Sequence, residues 1–170
     1  MDLFVSPGPE GGYRASYGDK SWRCAVGPSG IQPKQREGDG VSPIGRWPIR
    51  RVFYRADRLA SAPSKAFTCT PIDRQDGWCD APEHPEYNRL VRLPFAASHE
   101  EMWRQDHLYD IVVVLGQNDD PVVPYAGSAV FLHVASPGYG RTAGCAALSE
   151  ADLLEFLGLA GPETRLCFRG

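Results

Sequence analysis

The chain has 170 residues, 42% hydrophobic and 23% charged, with 18 glycines and 15 prolines; this fits one compact, loop-rich β globule and excludes collagen-like and coiled-coil architectures. Eighteen basic against 21 acidic residues leave a net charge of -3, without the positive field that a phosphate backbone demands, so nucleic acid is not an expected partner. The longest apolar run, Ile111–Leu115, is far short of the ~20 residues a membrane-spanning helix needs.

Taken in chain order, Met1–Gly8 has neither a basic n-region nor an apolar h-region, so a cytoplasmic location is expected, with the periplasm as the alternative for a trimmed chain. The first fifty residues read as hairpins. Trp22–Val26 leads into the turn-forming Gly27-Pro28-Ser29-Gly30 and a return toward Lys34. Glu37–Gly45 is loop chemistry, and Arg46–Tyr54 alternates like a strand. Residues 61–94, rich in Pro, Asp, Gly and aromatics, read as a long irregular surface insertion.

A short helix is predicted over Ser98–Asp106, with Ser98 as N-cap and Glu101 closing a capping box. Tyr109–Leu115 is apolar on both faces and is expected in the middle of a sheet; it ends at the turn Gly116–Pro121. In Ser128–Ala135, Val130, Leu132 and Val134 share one face while Phe131 and His133 share the other, which places His133 among apolar neighbours. A second helix starts at the N-cap Ser149, with Leu148 stapled onto Leu153 and Gly158 as its stop. Arg165–Phe168 closes the chain as an edge or partner strand.

Five cysteines, an odd number, leave at least one thiol free; reduced thiols agree with a cytoplasmic setting, and Cys69 and Cys79 are the pair available in an oxidising one. The spacings lack C-x-x-C, H-E-x-x-H and H-x₃₋₅-H, so neither a metal nor a cofactor is expected. His84, His99 and His107 lie in polar stretches and read as solvated side chains.

Cys145 lies twelve positions after His133, a nucleophile-and-base layout. A thiol with a pKa near ~8.5 is only about 3% ionised at neutral pH, so a reactive cysteine needs an imidazole, a helix N-terminus or both. Cys145 lies four residues before Ser149, and the N–H groups of Gly144 and Cys145 are candidates for an oxyanion hole. Spacing alone leaves a buried structural thiol and a core histidine equally open. A papain-like order is excluded because there the cysteine precedes the histidine, and no resolving cysteine lies near Cys145 for redox chemistry.

These residues resemble the L,D-transpeptidase catalytic-domain family, also called the YkuD domain. The resemblance rests on Phe131-Leu132-His133 followed by Thr142-Ala143-Gly144-Cys145, on Gly30, Lys34 and Asp39-Gly40-Val41-Ser42-Pro43-Ile44-Gly45, and on Tyr109-Asp110 followed by Gly127–His133. It covers roughly residues 22–168. The chain departs from many members at Ala143, where they carry histidine, and at Ala146-Ala147, where they carry arginine or asparagine.

The resemblance implies a mainly β fold, a mixed β-sandwich or barrel with a few short helices, over one catalytic domain spanning 1–170. It implies Cys145 as nucleophile, His133 as base oriented by the carbonyl of Val134, and Gly144 with Cys145 at the oxyanion. The substrate side is expected to use Thr142, Arg141 and Arg46, with Trp78, Asp80, Tyr87 and Asn88 from the 61–94 insertion. The implied partners are peptidoglycan stem peptides or muropeptides, met by a monomer. The expected activity is hydrolysis of the L,D bond before a terminal D-Ala in recycled tetrapeptides. The alternatives are 3-3 cross-linking or D-amino acid exchange, and a binding module that has lost catalysis.

Overall fold

The computed structural model describes residues 1–170. Fourteen strands and one helix follow in the order β1 (Leu3–Pro7), β2 (Tyr13–Tyr17), β3 (Lys20–Cys24), β4 (Ile31–Gln32), β5 (Ser42–Pro43), β6 (Gly45–Tyr54), β7 (Cys69–Pro71), β8 (Asp76–Cys79), β9 (Leu90–Arg92), β10 (His99–Glu101), β11 (Ile111–Leu115), β12 (Phe131–Val134), β13 (Ala146–Leu148), α1 (Glu150–Leu159) and β14 (Arg165–Phe168). The main sheet runs β13-β12-β11-β6-β14-β1-β2-β3, with β7 added beside β6. A bridge between Ala25 and Ala147 ties the end of β3 to β13, so the sheet nearly closes into a barrel. Near-closure removes most of the unpaired edge that an open sheet of this width would present. The mainly β expectation is met, and no helix is long and apolar enough to cross a membrane.

β12 shows why the sequence folds this way. Its two faces are both apolar but serve different cores: Val130, Leu132 and Val134 join the large core inside the barrel, whereas Phe131 belongs to a smaller one outside it. β11 divides in the same manner, with Ile111, Val113 and Leu115 inside and Val112 and Val114 outside. A strand buried on both faces needs the unbroken apolar run seen in the sequence. α1 plugs the large core with Leu153, Phe156 and Leu157, and the Phe156 ring meets Tyr17 and Trp22 edge-on.

Four expectations are corrected. The 61–94 stretch is not irregular throughout: within its loops it contributes β7, β8 and β9, and β8 and β9 form a second sheet with β10 in the order β10-β8-β9. This sheet covers the outer core, where Trp78 and Met102 pack with Phe53, Val112 and Phe131. The Ser98–Asp106 helix is absent, because His99, Glu100 and Glu101 pair with Cys79, Trp78 and Gly77. Backbone donors that a short helix would leave orphaned at its ends are satisfied by the sheet instead.

Trp22 lies in a hairpin with the preceding β2, through the two-residue loop Gly18-Asp19 with Gly18 at positive φ, and not with the segment after Gly30. Finally, α1 runs past Gly158 to Leu159 and ends where Ala160 turns extended; Ser149 caps its start as expected, accepting from the Asp152 N–H at 3.2 Å. β14 is an interior strand, parallel to β1 and antiparallel to β6.

Candidate active site

Cys145 and His133 reach one cavity of about 470 Å³ beside the main sheet. His133 projects from β12, and Cys145 immediately precedes β13, which runs parallel to β12. Adjacent parallel strands thus bring the two residues to one cavity although eleven residues lie between them in sequence.

The turn carrying Cys145 is braced from several directions. Thr142 Oγ1 donates to the Cys145 carbonyl at 2.8 Å and accepts the Gly144 N–H at 3.1 Å. The buried Ser42 hydroxyl reaches the carbonyls of Gly144 and Cys145 and accepts the Gly27 N–H. Gly144 sits at φ +133°, and a Cβ there would lie 2.8 Å from the Val41 carbonyl oxygen, so only glycine fits. A Cβ on Gly27 would fall 2.1 Å from the Gly40 carbonyl, which explains how the loop around Ser42 packs directly on the Cys145 turn.

Two expectations about Cys145 change. The Gly144 N–H is occupied by Thr142, whereas the N–H groups of Ala143 and Cys145 have no partner in the protein. The α1 N-terminus does not reach the thiol either, since the three residues of β13 intervene, about 10 Å of extended chain. The dipole effect fades within a turn of the helix end.

Burial favours the neutral form of both the thiol and the imidazole. Cys145 Sγ donates to the Ala129 carbonyl at 3.2 Å and accepts the Phe131 N–H at 3.4 Å. Burial pushes its pKa up to about 12, and the Glu100 carboxylate adds to the rise, while the Phe131 N–H and Lys34 oppose it. Burial pushes His133 down to about 4. His133 Nδ1 lies 2.8 Å from the Val134 carbonyl, which can only accept; Nδ1 therefore carries the proton and Nε2 is left as a bare acceptor. The Tyr109 ring stands edge-on to the imidazole, centroids 5.5 Å apart, and fixes its plane.

Several polar residues of the cavity are not among the expected site residues. Glu37, Glu100, Arg104 and Tyr109 all line it. Glu100 accepts from the Tyr109 hydroxyl and is held above the usual carboxylate range by burial. Lys34 and Asp39 form a 2.6 Å ion pair with side chains 9% and 11% exposed, and Asp39 also accepts the N–H groups of Gln35, Arg36 and Val41. Those hydrogen bonds hold the Asp39 carboxyl well below its ordinary range despite the opposing effect of burial. The Lys34 and Asp39-Gly40-Val41-Ser42 block was the available signal for this brace.

Of the expected substrate residues, Asp80, Arg141 and Thr142 line the cavity. Trp78, Tyr87 and Asn88 are buried and internally bonded. The Trp78 indole N–H donates to Asn88 Oδ1, Asn88 also joins the carbonyls of Gln117 and Asn118 to the Ala129 N–H, and Tyr87 bonds Glu37 and the Gly127 N–H. None of the three lines the cavity, and Tyr87 touches it only through its bond to Glu37. Arg46 lies exposed on β6, paired with Asp2 at 2.6 Å, and does not line the cavity. His84, His99 and His107 also lie outside it.

The five cysteines are free thiols, and no cluster of His, Cys, Asp and Glu has the arrangement of a metal site. A neutral acceptor nitrogen beside a buried thiol, with free backbone N–H groups at the same turn, is equipped for acyl transfer through a thioester. The catalytic-domain model of the L,D-transpeptidases, YkuD, matches residues 11–166. The chain belongs to that family, and is a cysteine enzyme acting on peptidoglycan. No curated protein and no solved structure matches the chain significantly.

Proposed function

We propose that the protein cleaves the L,D bond between the third residue and the terminal D-Ala of a stem tetrapeptide, by way of a thioester on Cys145. The observation that carries this reading is the single cavity shared by the Cys145 thiol and the unprotonated Nε2 of His133. Nε2 takes the thiol proton as sulfur attacks the carbonyl of residue three. The N–H groups of Cys145 and Ala143 meet the developing oxyanion. The tetrahedral intermediate collapses, the C–N bond breaks, and the imidazolium returns the proton to the departing D-Ala amine.

Water then resolves the thioester: His133 accepts a proton from it, the hydroxyl adds to the carbonyl, and the thiolate leaves and regains the proton. The cavity, about 470 Å³, is of the size that holds one ligand of moderate length, which favours hydrolysis to the tripeptide. A second reading, transfer to an amine, is favoured by a separate concavity of about 790 Å³. It is lined by Arg14, Arg23 and Tyr139, and meets the first at Arg141. Arg141 has no partner in the protein and suits a stem carboxylate.

Mass spectrometry of the wild type and Cys145→Ala with disaccharide-tetrapeptide, with and without a tripeptide-ending acceptor, tests both readings. Loss of one D-Ala without a dimer, abolished by the substitution, is the expected result. A dimer assigns transpeptidation, and release that survives Cys145→Ala refutes the thioester.

A further inference from the structure

One buried cation of the cavity has no part in the reaction described above. Lys34 lines the cavity together with Cys145, and its side chain is 9% exposed. The lysine stem packs on the backbone of Gly127, where a Cβ would fall 2.4 Å from Lys34 Cε. Gly127 stands two residues before Ala129, whose carbonyl accepts from the Cys145 thiol, so the ammonium is carried to the segment on which the sulfur rests. Asp39 holds it at 2.6 Å but does not itself line the cavity. The Asp39 carboxylate also accepts three backbone N–H groups, from Gln35, Arg36 and Val41, whose dipoles offset its charge. The ammonium, not the carboxylate, therefore faces the cavity, with one of its three N–H groups spent on Asp39.

We propose that Lys34 is the cation that stabilises the Cys145 thiolate, with Asp39 as the group that holds the ammonium in place. As the S–H bond breaks and its proton passes to Nε2 of His133, the charge left on sulfur meets the Lys34 ammonium. Ionising a buried thiol is costly, and a buried cation offsets that cost far more than an exposed one. The other charged groups of the cavity do not do this. Glu37, Asp80 and Glu100 are acids, Arg104 is taken by Asp106 through Nε and Nη2 at 2.8 and 2.6 Å, and Arg141 is exposed to solvent that screens it. Tyr109 and His133 are held towards their neutral forms by burial. Lys34 and Glu100 act on the thiol in opposite senses, the ammonium lowering and the carboxylate raising its pKa. The inference rests on Cys145 as the nucleophile of the reading above, not on which bond it cleaves.

The rate of Cys145 alkylation by iodoacetamide tests this without any turnover, with peptide mass spectrometry separating Cys145 from the other free thiols. Lys34→Met keeps the apolar stem and removes the charge, and is expected to slow alkylation at neutral pH by about tenfold. Lys34→Arg keeps the charge and is expected to stay within about threefold of the wild type. Asp39→Asn removes the opposing acid and keeps an oxygen for the loop, so its rate is expected at or above that of the wild type. Where Lys34→Met fails to fold because Asp39 is left buried without its cation, the double variant Lys34→Met/Asp39→Asn is read in its place. Unchanged alkylation on loss of the lysine overturns the proposal. So does a comparable loss in Lys34→Arg or in Asp39→Asn, which marks a structural brace. Wild-type enzyme that releases no D-Ala from any peptide overturns the stem-peptide reading instead, while the alkylation rates still decide the role of Lys34.

Discussion

His133 shows how much a single buried residue does here. Its neutral imidazole is favoured by folding, since burial holds its pKa near 4 against an unfolded value of about 6.5. The unfolded chain therefore binds the extra proton between these values, and stability falls as the pH drops through that window. Between about pH 7 and about pH 5 the loss from this one group is about 2 kcal/mol. Urea unfolding of His133→Asn at the two pH values is expected to show a correspondingly smaller acid loss than the wild type. The same lowered pKa keeps Nε2 unprotonated, so kcat/KM is expected to hold down to about pH 5 and fall below it, without an inflection near 6.5.

Asn88 gives the contrasting case. With φ at 56° and bonds to Trp78, Gln117, Asn118 and Ala129, it joins the small sheet to the loop that receives the Cys145 thiol. Asn88→Ala leaves several buried groups unpaired and is expected to cost about 3 kcal/mol in chemical unfolding. KM of the folded fraction should be unchanged, which separates a scaffolding residue from one that touches substrate.

At the scale of elements, the reactive geometry is a meeting of three segments: the end of β12, the turn before β13, and the loop leading into β5. Ser42 at the start of β5 donates to the Gly144 carbonyl, within the peptide unit that carries the Cys145 N–H, and lies within reach of the Cys145 carbonyl, so it fixes the direction of that free N–H. Gly144→Ala forces a left-handed φ on a side chain with nowhere to go, and is expected to cost about 2 kcal/mol or more together with most of the activity. Ser42→Ala leaves the Gly144 carbonyl and the Gly27 N–H without a partner, while the Cys145 carbonyl keeps Thr142. It should lower kcat by about tenfold while KM changes little, as measured in steady-state D-Ala release.

At the scale of the molecule, the last strand is topologically central. β14 lies between β6 and β1, so the sheet cannot be completed until residue 168 has been made. Removing Arg165–Phe168 exposes both neighbouring strands and takes Leu166 and Phe168 out of the large core. The truncated chain is expected to lose cooperative unfolding and near-ultraviolet dichroism altogether, whereas a nick in the exposed Gly11-Gly12 turn of the β1–β2 hairpin should leave both intact.

The elements legible in the sequence were those whose local pattern and tertiary environment agree. The β11 run, the two-faced β12, the β6 alternation and the Ser149 cap all keep their predicted character, and the parallel strands β12 and β13 bring His133 and Cys145 to one cavity. Residues 61–94 and Ser98–Asp106 were misread because their propensities are weak, and pairing of β8 with β9 and β10 supplies the hydrogen bonds that decide their structure.

The electrostatics of the site were not in the sequence at all. Glu100 resembles any solvated acid until β10 carries it to the cavity, and Tyr109 any strand residue until its ring meets the imidazole. The neutrality of Cys145 and His133 likewise depends on burial, which residue order does not record. Composition and apolar patterning determined a β protein, and the motifs that resemble the L,D-transpeptidase family marked the chain as one of its members. The tertiary structure alone decided which carboxylates face the thiol and which donors remain free, because charge compensation and desolvation depend on distances between segments far apart in the chain.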